Sequence, residues 1–459
     1  MYNLGSTVAA ISTPPGKGGV ALIRISGDEA FSIADRCFTP RYGDTPLSGR
    51  APRTAVRGDI HRAGEVVDDG MAFLFPAPKS YTGEDTVEIT CHGGVLVTRM
   101  VLEAVFEAGA LPAGPGEFTR RAFLNGGLSL TDAEAIGNLL DASTEGQVRL
   151  AGRRSRDKLS LAISELHGET VTLLASLYAN IDYPEEDLAE LTDGELIARL
   201  TVLGDKMDAL LRTYRTGRAV AEGIRTVICG KPNVGKSSLY NLLCREDAAI
   251  VTDVAGTTRD VLERTVSAGD LTLRLSDTAG IRETEDTVER IGVARSREKM
   301  DEADLILAVF DLQSGLTQED RDLIEVLRKS HATVVALLNK SDVGHADMTE
   351  VREAFAYTLP FSAKAGDIDS LTRLLTDLFT DGNIRIGEDA ILAGARQYAS
   401  LFRARELVQS TLGALQGGTP ADVACSDLEL ALGALSELDG RAVSEDVVAH
   451  IFAHFCVGK

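Results

Sequence analysis

The feature that most constrains the fold is the stretch "GKPNVGKSS", residues 230–238, which follows the apolar run "RTVIC" and opens the helical run "KSSLYNLLC". The spacing G-x-x-x-x-G-K-[ST] between a strand and a helix predicts a phosphate-binding loop in an α/β domain. Gly230 and Gly235 permit the tight loop, whose backbone N–H groups and helix N-terminus can hold phosphate oxygens. Lys236 can then reach the β- and γ-phosphates, and the Ser237 hydroxyl can ligate Mg²⁺.

Further nucleotide-binding segments follow this loop in a fixed order. They are "GTTRD" at 256–260, "DTAG" at 277–280, "NKSD" at 339–342 and "SAK" at 362–364. The carboxylate of Asp342 can accept from the two N–H donors on the edge of guanine, which adenine does not present. Because "DTAG" and "NKSD" each end a predicted strand, where α/β sites form, the ordered set predicts a GTP-binding domain.

The predicted GTP contacts come from the loop and these segments. They are Asn233, Val234, Gly235, Lys236, Ser237, Ser238, Thr252, Asp253, Val254, Ala255, Gly256, Thr257, Thr258, Asp277, Thr278, Ala279, Gly280, Asn339, Lys340, Asp342, Ser362, Ala363 and Lys364. Thr258 is predicted to join Ser237 as a ligand of Mg²⁺.

The position after "DTAG" is unusual. Ras-like GTPases place a water-orienting Gln there, whereas this chain has Ile281, which cannot polarise water. Hydrolysis therefore needs another residue. The acidic run "RETEDTVER" at 282–290 follows, and its charge alone favours a solvated helix face.

The apolar spacing divides the chain into regions. Residues 1–120 alternate β-rich runs with Gly and Pro turns and contain one helical run, which is an α+β pattern. The spacing is helical over 121–221 and again over 381–459, where Ser444 is a suitable start for the last helix. Strands and helices alternate over 222–380. We therefore expect a multidomain α/β protein with a P-loop domain, containing a mainly parallel sheet, inserted into a discontinuous all-helical domain.

Composition limits the class of protein. Six cysteines without a C-x-x-C pair argue against a disulfide framework and a zinc site, and for a reducing compartment. No apolar run approaches the roughly 20 residues of a membrane helix, so we expect a cytoplasmic protein. A formal net charge of −22 indicates that the chain binds nucleic acid only locally or leaves most of that contact to a partner.

With these motifs in view, the sequence resembles the MnmE (TrmE) family of tRNA-modification GTPases over essentially its whole length. The specific markers are "TPPGKGGVALIRISG", "PGEFTRRAFLNG", "GKPNVGKSSLYNLL", "IVTDVAGTTRD", "DTAGIRETEDTVERIG" and the last residues "FCVGK". The family ends in Phe-Cys-Ile/Leu-Gly-Lys, and Val457 is an aliphatic variant of that tail.

The resemblance implies a K⁺ site and a catalytic residue. Asn233, the backbone carbonyls of Thr252 and Val254, and Thr257 match the family's K⁺ ligands. Such a cation can replace an arginine finger, since both place positive charge where the transition state accumulates negative charge. Glu289 matches the acidic residue that positions the attacking water.

The resemblance also implies that residues 1–120 bind a tetrahydrofolate, either the 5,10-methylene or the 5-formyl derivative, and form a homodimer. Arg24 and Glu88 match family contacts to the folate. Relatives often carry Lys where this chain has Gly127, and Arg120 or Arg121 is a candidate replacement.

The family comparison further predicts that the C-terminal tail docks towards the folate site, across the dimer. Lys459 would pair with the anionic part of the folate, and Cys456 is either a catalytic thiol or a buried apolar residue. The Arg-rich run at 149–158 is either an RNA-contacting patch or a solvated helix face.

The implied function is K⁺-dependent GTP hydrolysis that drives modification of C5 of the wobble uridine, position 34, in certain tRNAs. An FAD-binding partner resembling MnmG would take part, and would supply most of the contact with the tRNA. Two alternatives remain: a ribosome-assembly or signalling GTPase without modification chemistry, and an autonomous RNA methyltransferase with its own thiol nucleophile.

Overall fold

The computed structural model describes residues 5–182, 192–246, 263–276, 300–366 and 368–459. Contacts divide the chain into two units. Unit 1 consists of Met1–Gly137 and Ser436–Lys459, and unit 2 of Asn138–Leu435. The two ends of the chain therefore belong to the same unit. The finer division into domains ending at 120, 221 and 380 stays a prediction.

Unit 1 contains a seven-stranded sheet in the described residues, with the order β3-β4-β5-β6-β2-β1-β7. Neighbouring strands are antiparallel, except that β1 and β7 are parallel. The strands are β1 (Val8–Ile11), β2 (Val20–Ser26), β3 (Phe38–Pro40), β4 (Ala55–Arg62), β5 (Glu65–Phe75), β6 (Thr86–His92) and β7 (Leu111–Pro112).

Two helices, α1 (Ala30–Cys37) and α2 (Val95–Glu107), pack on this sheet. Strand β2 alternates, so that Ala21, Ile23 and Ile25 enter the core while residue 24 lies on the other face. This arrangement confirms the α+β pattern read from residues 1–120.

The remaining helices of unit 1 are α3 (Glu117–Leu124), the first part of α4 (Leu130–Asp141) and α15 (Glu445–Ala453). Leu130 and Val448 belong to a small apolar core that joins α4 to α15. The start of α15 was correctly predicted: the Ser444 hydroxyl accepts a hydrogen bond from the N–H of Val447.

Unit 2 combines helices with the second sheet. The helices that precede and follow the second sheet in the sequence are α5 (Glu145–Ala151), α6 (Arg153–Asp182), α7 (Asp193–Arg212), α8 (Tyr214–Ala221), α13 (Ala395–Gln416) and α14 (Ala421–Asp439), the last residues of which belong to unit 1. Residues before and after the sheet meet here, because Arg405 of α13 forms a two-pronged ion pair with Asp208 of α7 at 2.8 and 3.0 Å.

The second sheet has the order β13-β12-β11-β8-β10-β9 in the described residues, and all its pairs are parallel except β10 with β9. Its strands are β8 (Ile224–Cys229), β9 (Glu263–Ala268), β10 (Leu271–Ser276), β11 (Leu305–Asp311), β12 (Thr333–Asn339) and β13 (Tyr357–Pro360). Its helices are α9 (Lys236–Glu246), α10 (Gln318–Leu327), α11 (Thr349–Ala354) and α12 (Asp369–Phe379).

The central strand of this sheet is buried on both faces. Leu305 and Leu307 of β11 enter one apolar core, while Ile306 and Ala308 enter another on the opposite face. Burial on both faces is typical of a parallel sheet covered by helices, so the predicted mainly parallel P-loop domain is confirmed. Across the described ranges, no helix is both long and apolar enough to span a membrane.

Candidate nucleotide and cofactor sites

The phosphate loop lies at the carboxyl edge of the second sheet. Gly230 directly follows β8, and Asp311 and Asn339 are register partners at the ends of β11 and β12. The topology therefore gathers the phosphate loop, Asp311 and the first residue of "NKSD" at one edge, where parallel α/β sheets bind their ligands.

The two loop glycines are required by the backbone. Gly230 has φ +143° and Gly235 has φ +105°, values that L side chains rarely adopt. A Cβ atom at Gly230 would clash with the Val309 carbonyl oxygen, and one at Gly235 would clash with Nδ2 of Asn339. Asn233 also has a positive φ of +63°, which Asn tolerates better than most residues.

The Lys236 ammonium lies beneath the loop. Its Nζ donates to the carbonyl oxygens of Gly230 and Lys231, each at 2.7 Å. An ammonium has three N–H donors, so one remains for a phosphate oxygen. Burial lowers the pKa of Lys236 from its usual value. Binding an anionic phosphate would oppose this shift by favouring the charged form.

The side-chain amide of Asn339 links the phosphate loop to the "SAK" segment on the predicted guanine side of the site. Asn339 donates from Nδ2 to the Val234 carbonyl oxygen at 2.6 Å and accepts from the N–H of Ala363 at 3.0 Å. The Ser362 hydroxyl donates to a carboxylate oxygen of Asp342 at 2.8 Å. The structure thus brings together residues that the sequence placed in three separate motifs.

Two ion pairs beside the loop were missed by sequence reasoning. Lys340 donates to Asp311 at 2.7 Å, and Lys231 donates to Asp320 at 2.8 Å. Asp320 is only 1% exposed, and it also accepts from the hydroxyl of Thr317 at 2.8 Å. Only the position of Asp311 at the end of a buried strand could have indicated a role in advance.

These groups border an open cavity of about 530 Å³. Its lining residues are Lys231, Pro232, Asn233, Asp311, Ser314, Thr317, Gln318, Glu319 and Lys340. Ser237, Ser238 and Lys364 are also described, whereas residues 252–258, 277–280 and Glu289 lie outside the described residues. Among the predicted K⁺ ligands, the structure therefore describes only Asn233. Among the predicted Mg²⁺ ligands, it describes only Ser237.

The second candidate site lies on the sheet of unit 1. Arg24 of β2 and Glu88 of β6 are register partners, and their side chains form an ion pair at 2.8 Å with 14% and 19% exposure. The guanidinium carbon lies 5.0 Å from the ring centroid of Tyr81 and 5.3 Å from that of Phe118. Nη1 of Arg24 is buried and has no hydrogen-bond partner among the described residues. A buried N–H donor without a partner indicates a place where a ligand or water can accept.

The C-terminal tail docks beside this cluster. The N–H of Gly116 donates to the Cys456 carbonyl oxygen at 3.3 Å, and the N–H of Phe118 donates to that of Lys459 at 3.0 Å. The Ser12 hydroxyl donates to the carbonyl oxygen of Gly458 at 2.8 Å. Within one chain the tail thus contacts other residues of unit 1, and docking across a dimer stays a prediction. Phe118 and Tyr81 were missed because nothing local distinguishes them from ordinary core aromatics.

The thiol of Cys456 in this tail is accessible to solvent. Cys456 is exposed, and the other five cysteines of the chain are buried. The alternative of a buried apolar Cys456 is therefore wrong. Its neighbour Phe455 packs against Gly137 of helix α4, where a Cβ atom would lie 3.1 Å from the ring.

Arg121, one candidate for the role of the lysine that is missing at Gly127, already pairs with two carboxylates. Its side chain is 2% exposed, and it forms ion pairs with Glu84 at 2.9 Å and with Glu117 at 3.0 Å. The charge of this buried guanidinium is therefore already neutralised by carboxylates of unit 1.

The Arg-rich run at 149–158 is also largely paired. Arg149 pairs with Asp270, Arg153 with Asp157, and Arg154 with Glu388. These carboxylates favour the solvated helix face over an RNA-contacting patch.

Comparison with known proteins decides the family. Residues 130–456 match the model of the MnmE helical domain, and residues 7–127 match that of the GTP-binding protein TrmE N-terminus. The tRNA modification GTPase MnmE of Geobacillus thermodenitrificans is 41% identical over 99% of both chains. The chain belongs to the MnmE family. The Bacillus subtilis relative, also named tRNA modification GTPase MnmE, is 40% identical over 99% of this chain and 100% of its own.

Membership of the MnmE family makes this chain a tRNA-modifying GTPase, with GTP as its substrate and Mg²⁺ as the expected metal ion. Among solved structures, Era from Aquifex aeolicus bound to GDP·AlF4⁻ is 24% identical and covers 40% of this chain and 66% of that one, with a TM-score of 0.27. So low a score bears on neither fold nor function.

Proposed function

We propose that the chain is a K⁺-dependent GTPase that acts with a flavin-containing partner. Together they add an aminomethyl-type group to C5 of the wobble uridine of certain tRNAs, with a tetrahydrofolate as the one-carbon source. The proposal extends the family assignment to a substrate atom, a cofactor and a partner. The observation that carries it is the buried Nη1 of Arg24, which lies beside Glu88 and Phe118 and has no hydrogen-bond partner in the part of the chain that the structure describes.

In the nucleotide site, Lys236 neutralises phosphate charge and Asn339 holds the loop against the base-side segment. Ser237 and Thr258 bind Mg²⁺, and Glu289 positions the attacking water. Asn233, Thr252, Val254 and Thr257 bind K⁺. The cation would provide, beside the phosphates, the positive charge that other GTPases take from an arginine finger.

In unit 1, the donors and acceptors fit a folate. The unpartnered guanidinium N–H of Arg24 can donate to an acceptor, and the Glu88 carboxylate can accept from N–H donors of a pterin ring. Tyr81 adds an aromatic face that is 38% exposed. A bound 5,10-methylene-tetrahydrofolate would supply a carbon at the formaldehyde oxidation level, which is that of the CH₂ in an aminomethyl group.

The tail completes the same site in this proposal. The carbonyl oxygen of Lys459 is fixed by Phe118, whose ring packs on Arg24, so the tail and the folate contacts share one residue. The Lys459 ammonium pairs with the anionic part of the folate. The exposed Cys456 thiol is a candidate catalytic group.

The proposed partners are suggested by the net charge of the chain and by its family. A chain with a net charge of −22 is poorly suited to holding a tRNA alone, so an MnmG-like FAD-binding protein would make most of the contacts with RNA. The chain itself would be a homodimer, joined through unit 1, in a heterotetramer or larger complex in the cytoplasm.

The experiment is a folate titration of the full-length protein. Arg24→Gln should weaken binding of 5-formyl-tetrahydrofolate by about tenfold or more, which is the loss of one charged hydrogen bond. Arg62→Gln is the matched control, because Arg62 forms a surface ion pair with Glu107 at 2.8 Å elsewhere on unit 1.

If wild-type protein binds no folate while still hydrolysing GTP, the proposed chemistry is contradicted and a GTPase switch without modification chemistry is favoured. Binding that Arg24→Gln leaves unchanged would contradict the assignment of the site.

A further inference from the structure

Lys340 lies where the second sheet meets the nucleotide site. It directly follows β12 and stands between Asn339 and Asp342 in the "NKSD" segment. Its backbone φ is +63°, a conformation that residues other than glycine seldom adopt. Its carbonyl oxygen accepts from the N–H groups of Val343 and Gly344 at 3.1 and 2.8 Å. The chain therefore turns sharply at this lysine, and local contacts hold its backbone.

The side chain of Lys340 is fixed by a carboxylate on the neighbouring strand. Asp311 ends β11, and its Oδ2 accepts from the Lys340 ammonium at 2.7 Å. Its other oxygen, Oδ1, accepts from the backbone N–H of Gln313 at 2.8 Å. Because the carboxylate is held through the second oxygen, its orientation is defined, and it offers the ammonium a fixed place to bind.

This ion pair differs in exposure from the other one beside the loop. The side chains of Lys231 and Asp320 are 12% and 1% exposed, so that pair is largely buried. Asp311 is buried as well, but the Lys340 side chain remains 33% exposed. An ammonium has three N–H donors, and the bond to Asp311 uses one of them. Lys340 is thus held in place and still accessible to a ligand.

Both members of the pair border the open cavity beside the phosphate loop, and Asn233 of the loop lies on the same cavity. A nucleotide whose phosphates lie on the loop and whose guanine reaches Asp342 would therefore pass Lys340. The methylene stem of a lysine can cover an apolar face such as that of a base, and its ammonium can donate to an oxygen of the nucleotide.

Backbone contacts hold the ends of β11 and β12 together without the ion pair. Asp311 and Asn339 are register partners, and the N–H of Leu312 donates to the Asn339 carbonyl oxygen at 3.0 Å. The N–H of Ala346 donates to the carbonyl oxygen of Leu312 at 2.9 Å. These bonds involve only main-chain atoms, so a substitution of the Asp311 side chain leaves their donors and acceptors in place.

We propose that Asp311 is a positioning residue for GTP binding, which holds the Lys340 side chain in the conformation that meets the guanosine part of the nucleotide. A free lysine side chain loses rotamer entropy when a ligand orders it, and that loss weakens binding. Asp311 orders the lysine beforehand, so binding requires less further ordering. The inference depends on GTP binding alone and is independent of the proposed K⁺ and folate chemistry.

The experiment is a double-mutant cycle on the affinity of the full-length protein for Mg²⁺–GDP, measured by isothermal titration calorimetry. Asp311→Asn keeps the size of the side chain and one acceptor oxygen for the Gln313 N–H, but it loses the charge that holds Lys340. We expect it to weaken GDP binding by about threefold to tenfold, the range for ordering one long side chain.

The second arm of the cycle separates positioning from a purely structural role. Lys340→Met should also weaken GDP binding. Adding Asp311→Asn to Lys340→Met should have no further effect, because the residue through which Asp311 acts is then absent.

Asp304→Asn is the matched control. Asp304 directly precedes β11, at the opposite end of the same strand, and it pairs with Arg225 at 3.0 Å. Because that pair lies at the amino edge of the sheet, the affinity for GDP should stay at its wild-type value.

The inference is overturned if Asp311→Asn binds GDP as tightly as the wild-type protein, or if Asp304→Asn weakens binding equally. It is also overturned if Asp311→Asn weakens binding by the same factor with and without Lys340→Met, since Asp311 would then act through the backbone at Gln313. If Asp311→Asn does not fold, Asp311→Ser repeats the cycle, because a Ser hydroxyl can accept from the N–H two residues on but carries no charge.

Discussion

The backbone N–H of Phe118 donates a hydrogen bond to the carbonyl oxygen of Lys459 at 3.0 Å. The ring of Phe118 is fully buried and packs against the Arg24 guanidinium. One residue at the start of α3 therefore orders both the tail and the basic group of the candidate folate site. This relationship predicts that tail docking and folate binding are linked.

Gly458→Ala should release the tail. Gly458 has φ +99°, and a Cβ atom there would clash with the Ile11 carbonyl oxygen. Backbone strain of about 1–3 kcal/mol adds to that clash. We expect faster alkylation of Cys456 and weaker folate binding, with GTP hydrolysis unchanged. Alkylation is measured by mass spectrometry of the C-terminal peptide.

The control for this substitution is Gly64→Ala. Gly64 has a similar φ of +83° but open space around its Cβ position. Equal effects of the two substitutions on Cys456 would contradict a docked tail.

Gly235→Ala should impair nucleotide binding. The added methyl group would clash with Asn339 Nδ2, which holds the loop through the Val234 carbonyl oxygen. We expect GDP affinity to fall by about tenfold or more, the equivalent of losing one such bond. A fluorescent GDP analogue reports the affinity. Gly366→Ala, with φ +76° and no atom within 4 Å, should leave it unchanged.

Lys231→Met should destabilise unit 2. The substitution leaves the carboxylate of Asp320, 1% exposed, without its only cation in the described residues, and breaking such a buried pair costs about 3–5 kcal/mol. Urea unfolding followed by circular dichroism measures the loss. Arg321→Met removes an exposed ion pair with Glu350 and should shift the midpoint little. Equal midpoints for the two variants would contradict the importance of the buried pair.

Asp311 should contribute a pH-dependent stability. Burial raises its pKa, but the hydrogen bonds from Lys340 and from the Gln313 N–H, together with the charge of Lys340, outweigh this and hold the pKa below the ordinary 3.8. Because the folded-state pKa is the lower one, the stabilisation is complete above about pH 4 and is lost as the pH falls through the folded value. Urea midpoints of wild type and Asp311→Asn should differ at pH 7 and converge as the pH falls below the folded-state pKa of Asp311. A difference that stays constant with pH would contradict this account.

The sequence predicted the features that local pattern encodes. The "GKPNVGKSS" stretch, with its flanking strand and helix, determined both the P-loop and the mainly parallel sheet. Motif ends such as Asn339 were correctly placed at one edge, since parallel strands deliver their carboxyl ends together.

Contacts between distant parts of the chain were not predictable from the sequence. Nothing in "PGEFTRRAFLNG" reveals that Phe118 binds Lys459 or that Arg121 is neutralised by Glu84. The hydrogen bond between the hydroxyls of Thr144 and Thr272, at 3.0 Å, depends in the same way on the three-dimensional path of the chain, because threonines are common and their partners are set by packing.

The most direct test of the account is mass spectrometry of wobble nucleosides in tRNA from cells that lack this protein and carry either the wild-type chain or its Arg24→Gln variant. The account predicts that the aminomethyl-type modification at C5 of uridine disappears without the protein, returns with the wild-type chain, and stays low with Arg24→Gln although that variant still hydrolyses GTP. Wobble uridines that remain fully modified in the absence of the protein would contradict it.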